Sequence, residues 1–125
     1  MPTEKKERSV AELRRLIEGS TVAIAADYTG MSVTAMTDLR RTLREADVEF
    51  RVVKNRLTYL AADAAGRPEV KEIVKGPTGI AFGYADPAAP AKALVDFIRV
   101  NRSPLKIRGA VMGDRLLTAE EVDAL

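Results

Sequence analysis

The 125-residue chain contains no cysteine and no histidine. Without cysteine there is no disulfide framework, no thiolate metal site and no cysteine nucleophile. Without histidine, the commonest general base and the commonest transition-metal ligand are both missing. Carboxylates, lysine or tyrosine alone can still do chemistry, so these absences lower the expectation of catalysis without removing it. A large excess of charge of one sign is lacking too: 20 basic against 18 acidic residues leave a net charge of +2, although the pI is about 9.0. Any nucleic-acid role must therefore come from where the cations lie, not from their total. No apolar stretch is long enough for a membrane span, and Met1-Pro2-Thr3-Glu4-Lys5-Lys6 lacks the apolar core of a signal peptide. The expected location is the cytoplasm, with no membrane partner.

What is present reads as a soluble, globular chain, with 46% hydrophobic and 30% charged residues. Its length suits one domain, 1–125, that buries a core without staples. Thr3 to Glu18 reads as a helix with Val10, Leu13 and Ile17 on one stripe and Gly19 as its stop. Thr21 to Ala26 is a continuous apolar run, the pattern of a strand buried on both faces. Ser32 can cap a second helix whose core stripe is Met36, Leu39, Leu43 and Ala46, with Val33 beside it. Val48 to Val53 reads as a second strand and Asn55 as the cap of a third helix. A further helical turn or two is expected over Glu69 to Val74, after the interruption at Gly66-Arg67-Pro68.

Thr78 to Tyr84 is a third strand. Asp86-Pro87 opens a helix facing Ala91, Leu94, Val95 and Ile98 inward, and Leu105 to Met112 is a fourth strand. Gly113-Asp114 turns the chain, and Thr118-Ala119-Glu120-Glu121 is a capping-box pattern for a last helix. After the first helix the order is β-α-β, an inserted helical segment, then β-α-β. This predicts an α+β ferredoxin-like (split βαβ) plait, with an extra N-terminal helix and a helical insertion between strands two and three. A doubly wound sheet is the rival, and four strands suit it less well.

In the plait, right-handed crossovers bring the ends of strands one and two to the same edge as the starts of strands three and four. Tyr28-Thr29-Gly30, Lys54-Asn55-Arg56, Lys75-Gly76-Pro77-Thr78 and Ser103-Pro104 with Lys106 should meet there. Two helix N-termini begin at that edge and supply unpaired N–H groups suited to anions. Gly76 and Gly79 would permit close backbone approach, with Pro77 stiffening the loop. Lysine and arginine recognise phosphate, and Tyr28 offers a flat face to an unpaired base. Arg40 and Arg44 on the second helix extend the candidate RNA-binding set.

Plainer readings stand beside these. Lys54 and Arg56 could be solvated residues at a strand end, and Lys-Gly-Pro-Thr could be only a tight turn. Arg40, Arg41 and Arg44 could be the wet face of an amphipathic helix, paired with Asp38 and Glu45. Tyr28 could pack at a strand end, and the Lys5, Lys6 and Arg8 cluster could be solvated without a partner. An acylphosphatase-like enzyme and a small-molecule-binding regulatory plait are alternative functions for this fold, which alone does not separate them. No base stands visibly beside a nucleophile, which disfavours the first.

Four segments carry a family pattern: Asp27-Tyr28-Thr29-Gly30-Met31, Leu39-Arg40-Arg41-Thr42-Leu43-Arg44, Val52-Val53-Lys54-Asn55-Arg56-Leu57 and Lys75-Gly76-Pro77-Thr78. In order and approximate spacing they closely resemble the bacterial ribosomal stalk-base family, large-subunit ribosomal protein ten. The resemblance covers essentially the whole chain. It implies a structural constituent of the large ribosomal subunit, not an enzyme, with no catalytic residues, no metal and no cofactor, whose N-terminal domain binds rRNA at the base of the stalk beside a neighbouring ribosomal protein. It also implies a C-terminal helix that recruits acidic stalk protein dimers for the translation GTPases, and repression of the family's own leader mRNA.

Carried over by residue, Lys54, Asn55 and Arg56 match the Lys/Arg-Asn-x segment, and Lys75, Gly76, Pro77 and Thr78 match the Gly-Pro-Thr loop. Tyr28, Thr29 and Gly30 match a turn that commonly carries arginine where Thr29 stands, and Arg56 replaces a usual threonine. Family members continue beyond the length seen here, so the expectation is an RNA-binding half without the dimer-recruiting helix.

Overall fold

A five-stranded sheet in the order β2-β3-β1-β4-β5 forms the middle of three layers. Its strands are β1 (Val22–Asp27), β2 (Val48–Val53), β3 (Thr78–Gly83), β4 (Lys106–Met112) and β5 (Arg115–Thr118). The helices are α1 (Glu4–Gly19), α2 (Val33–Glu45), α3 (Asn55–Ala64), α4 (Val70–Ile73), α5 (Ala88–Asn101) and α6 (Ala119–Asp123). The computed structural model describes residues 4–125, so the expected helix start at Thr3 lies outside the described residues.

Every strand pairing is antiparallel, which excludes a doubly wound parallel sheet. The first four strands have the plait order, β2-β3-β1-β4, and β1 and β2 both reach the other strands through helices. The α+β plait is therefore the fold, with one strand more than the four expected. Gly113 (φ +67°) and Asp114 reverse the chain, pairing Met112 with Arg115, and β5 adds a short edge strand. Only Leu117 of β5 is buried, so the sequence carries almost no alternation there to announce a strand.

Successive side chains of β1 point to opposite faces, so its apolar run feeds two cores at once. Val22, Ile24 and Ala26 pack with Leu39 and Leu43 of α2, Leu94 and Phe97 of α5 and Val122 of α6. Ala23 and Ala25 pack on the other face with Leu13, Leu16 and Ile17 of α1, Ala61 and Ala62 of α3 and Val70 and Ile73 of α4. The extra N-terminal helix and the inserted helices thus cover the sheet face that a two-layer plait leaves open.

Several local expectations shift. Asn55 is the first helical residue and Lys54 the N-cap, with no side-chain capping bond. Val33 lies outside the core at 84% exposure, and Ala46 is an exposed C-cap rather than part of the buried stripe. On α5 Phe97 is buried, whereas Val95 and Ile98 are only half-buried. Ser32 does cap α2, accepting the Ala35 N–H at 3.1 Å. Thr118 and Glu121 form the reciprocal capping box of α6.

Candidate nucleic-acid interface

Strand register decides whether the basic turns share one edge. Val53 pairs with Thr78, and Asp27 pairs with Lys106. Lys54 therefore follows directly from the residue opposite Thr78. A Cβ built on Gly30 (φ +90°) would lie 3.5 Å from Pro104, so the first and fourth segments also meet. All four expected segments converge on one rim of the sheet. The two helix N-termini there sit on opposite faces, α2 over one core and α3 over the other.

The second and third segments are joined rather than merely adjacent. Asn55 Nδ2 donates to the Gly76 carbonyl at 3.1 Å. One helical turn later the Tyr59 hydroxyl donates to the Val74 carbonyl at 2.7 Å. Residues four apart share a helix face, so a single face of α3 holds two carbonyls of the loop before β3. Thr78, fully buried, donates its hydroxyl to the same Gly76 carbonyl at 3.0 Å. Gly76 adopts φ +68°, a conformation that favours glycine, and its carbonyl is fixed by two donors. The loop is thereby held in one shape with Lys75, Gly76 and Pro77 exposed.

This geometry divides the expected site residues by role. Lys54, Arg56 and Lys75 are exposed, and none of their side chains has an ion-pair or hydrogen-bond partner among the described residues. The first-turn N–H groups of α3 have no side-chain cap, leaving donors beside those cations. Asn55 and Thr78 act on the loop itself. Gly79 does not face a ligand: a Cβ there would fall 2.2 Å from the Phe50 ring, so this glycine makes room for a core aromatic. Tyr28 is half-buried and packs against the α2–α5 core. Thr29 donates both its N–H (2.8 Å) and its hydroxyl (2.6 Å) to Asp27 Oδ1, tightening the turn that leads to Gly30.

Arg40 and Arg44 are not part of this rim. They line a groove of about 590 Å³ with Asp47, Val48, Phe50 and Tyr84, at the start of β2 and the end of β3. Helix α2 begins at the rim, but at about 1.5 Å per residue it carries Arg44 roughly 18 Å from Ser32.

Arg108 belongs to the rim and was not foreseen. Ala25 pairs with Gly109 and Ala26 with Ile107, leaving Arg108 as the extra residue of a β-bulge. Its guanidinium forms an ion pair with Asp27, and Nη2 stands 3.7 Å from where a Gly76 Cβ would be. Arg108 thus spans the first and third segments. The two hydrogen bonds from Thr29, aided by the Arg108 charge, hold the Asp27 carboxyl down at about 2. Tyr59 was also missed, although its spacing from Asn55 was a usable signal. A bulge leaves no such mark in one sequence.

A cationic, amide-rich rim suits anion binding, and comparison with known proteins identifies the biological setting. The sequence profile described as "Ribosomal protein L10" matches residues 1–99. The chain belongs to the ribosomal protein L10 family. The protein named large ribosomal subunit protein uL10 from Natranaerobius thermophilus is 43% identical over 122 residues, covering 98% of this chain and 69% of that protein. Its namesake from Thermomicrobium roseum is 40% identical over 125 residues, covering 100% and 69%. That from Bacillus cereus strain B4264 is 42% identical over 122 residues, covering 98% and 73%. The L10 family is a structural component of the large ribosomal subunit, not an enzyme, so its members work among rRNA and ribosomal proteins on the cytoplasmic ribosome.

Proposed function

We propose that the rim binds large-subunit rRNA at the base of the stalk, with Lys54, Arg56 and Lys75 on phosphates and the first turn of α3 supplying backbone donors. The observation that carries this reading is the Asn55–Gly76 hydrogen bond, which makes two basic turns, 21 residues apart, one rigid surface. Phosphate contacts position the domain, while the fixed shape of the Gly76-Pro77 loop selects folded RNA. Tyr28, Thr29 and Gly30 shape the adjacent turn, and Arg108 adds a cation held by Asp27. Residues 1–125 act as one RNA-binding domain beside a neighbouring ribosomal protein. In the full-length family a helix beyond this domain would hold the acidic stalk dimers, and the same rim would grip the leader mRNA in autoregulation.

A titration against a stalk-base rRNA fragment at two salt concentrations tests the reading. Lys54→Ala and Lys75→Ala should each weaken binding and make log Kd less dependent on log salt by about 0.7–0.9. Unchanged affinity and salt slope in both variants would remove the rim from the account.

A further inference from the structure

The rim is not the end of the cationic surface. A groove of about 610 Å³ runs from Lys54 and Arg56 along β2 to the first half of α1, where Lys5 and Lys6 line it. Arg51 lines this groove and also the one holding Arg40, Arg44 and Tyr84, so the two grooves meet at its side chain. Their common floor is β2, the edge strand of the sheet, whose outer side has no strand neighbour among the described residues. Six residues at about 3.3 Å each give that floor a length of roughly 20 Å.

Charge along this path is uneven. Seven cations line the two grooves against the carboxylates of Glu12, Asp47 and Glu49. Arg51 is tied to Glu12 of α1 and to Glu49, so it is already neutralised and forms part of the floor. Arg40 and Arg44 are different. Both are exposed, and neither guanidinium has a hydrogen-bond or ion-pair partner among the described residues. At i and i+4 on α2 they stand about 6 Å apart on one face. Tyr84, 42% exposed, lies in the same groove and offers a ring for an unpaired base.

We propose that the β2 edge is a phosphate track, along which the RNA bound at the rim continues to a second contact at Arg40, Arg44 and Tyr84. The proposal rests on the RNA-binding reading of the rim and extends it to the opposite end of the sheet. Fork-shaped donors beside an aromatic face match a nucleotide, with phosphate on the guanidiniums and base on the ring. An acidic peptide adding a strand to β2 is the competing occupant. Charged side chains along the edge, and the Glu12–Arg51 tie from α1, oppose such pairing.

The test is a titration of the full chain with the stalk-base rRNA fragment across a salt series. Arg40→Ala with Arg44→Ala should lower affinity at least tenfold and reduce the salt slope by about 1.4–1.8, two contacts' worth. Arg40→Lys with Arg44→Lys should keep most of that slope, and Tyr84→Ala should lose affinity severalfold without changing it. The track is overturned if the double alanine variant binds with wild-type affinity and slope while Lys54→Ala still weakens binding; the rim reading then survives. Wild-type affinity in the double alanine variant, with capture of an acidic protein lost, would overturn it in favour of a protein surface. If no rim substitution affects RNA binding, the rim reading falls and the track falls with it.

Discussion

The two ends of the sheet both carry cations without a partner among the described residues, Lys54, Arg56 and Lys75 at the rim and Arg40 and Arg44 at the far end, but the ends are built differently. At the rim, Asn55, Tyr59 and Thr78 fix the carbonyls of one loop, and Asp27 fixes Arg108 beside it. At the far end, Arg40 and Arg44 project from a helix that owes its position to Leu39 and Leu43, and their guanidiniums have no hydrogen-bond or ion-pair partner among the described residues. The backbone of the rim loop is therefore shaped before a ligand arrives, whereas the far end has no such loop; the cations of both ends are ordered only on binding. Ordering a long side chain costs roughly 0.5–1.5 kcal/mol at an interface. That cost falls on both ends, so the difference between them lies in the fixed loop, and shape selectivity should reside at the rim.

Breaking the shared core should abolish both ends together. Gly79→Val puts a side chain where the Phe50 ring lies and should destabilise the fold by about 3 kcal/mol, seen as a lower midpoint in chemical denaturation. A variant of wild-type stability would mean that Phe50 has somewhere else to go. Next in size, Lys54→Ala combined with Lys75→Ala should cost about 2 kcal/mol of RNA binding, roughly thirtyfold in Kd, with little loss of stability. The contrast sharpens with single substitutions. Asn55→Ala removes a loop-fixing donor and should cost about 1 kcal/mol of stability, whereas Arg44→Ala should stay within about 0.5 kcal/mol. Equal costs in thermal or denaturant unfolding would erase the distinction between a built end and an open one.

Acid should affect the rim first. The Asp27 carboxyl sits at about 2 in the fold, below its ordinary 3.8, so its contribution is complete above about pH 4 and is lost as pH falls towards 2. Asp27→Asn should lower stability at neutral pH, where that contribution is complete, and flatten the acid part of the stability–pH curve. An unchanged acid limb would contradict the role given to Thr29 and Arg108. The smallest effect is expected at the edge strand, where Glu12→Ala, freeing Arg51 from α1, should cost only about 0.5 kcal/mol.

Much of this was legible in the chain because it depends on periodicity and topology. The unbroken apolar run of β1 announces a strand with helices on both faces, and the order of elements dictates which turns share an edge. The legible part ends where three-dimensional contacts override local pattern. Gly79 reads as a glycine free to approach phosphate, yet its space belongs to Phe50, a residue 29 positions earlier. Thr78 reads both as the end of the basic turn and as the start of β3; the strand buries it, and its hydroxyl turns back onto Gly76 rather than out to a ligand. Arg40 and Arg44 follow a helix start at the rim, but the length of α2 takes them away from it. Arg108 depends on a bulge, and β5 on a hairpin with one buried side chain.

The claim that two basic turns act as one unit is tested most directly by a double-mutant cycle on RNA affinity with Asn55→Ala and Lys75→Ala. Asn55 holds the loop that presents Lys75, so the two losses should be coupled by at least about 0.5 kcal/mol, the double variant binding better than the summed single effects predict. Strict additivity, with each substitution acting as though the other residue were absent, would contradict the account.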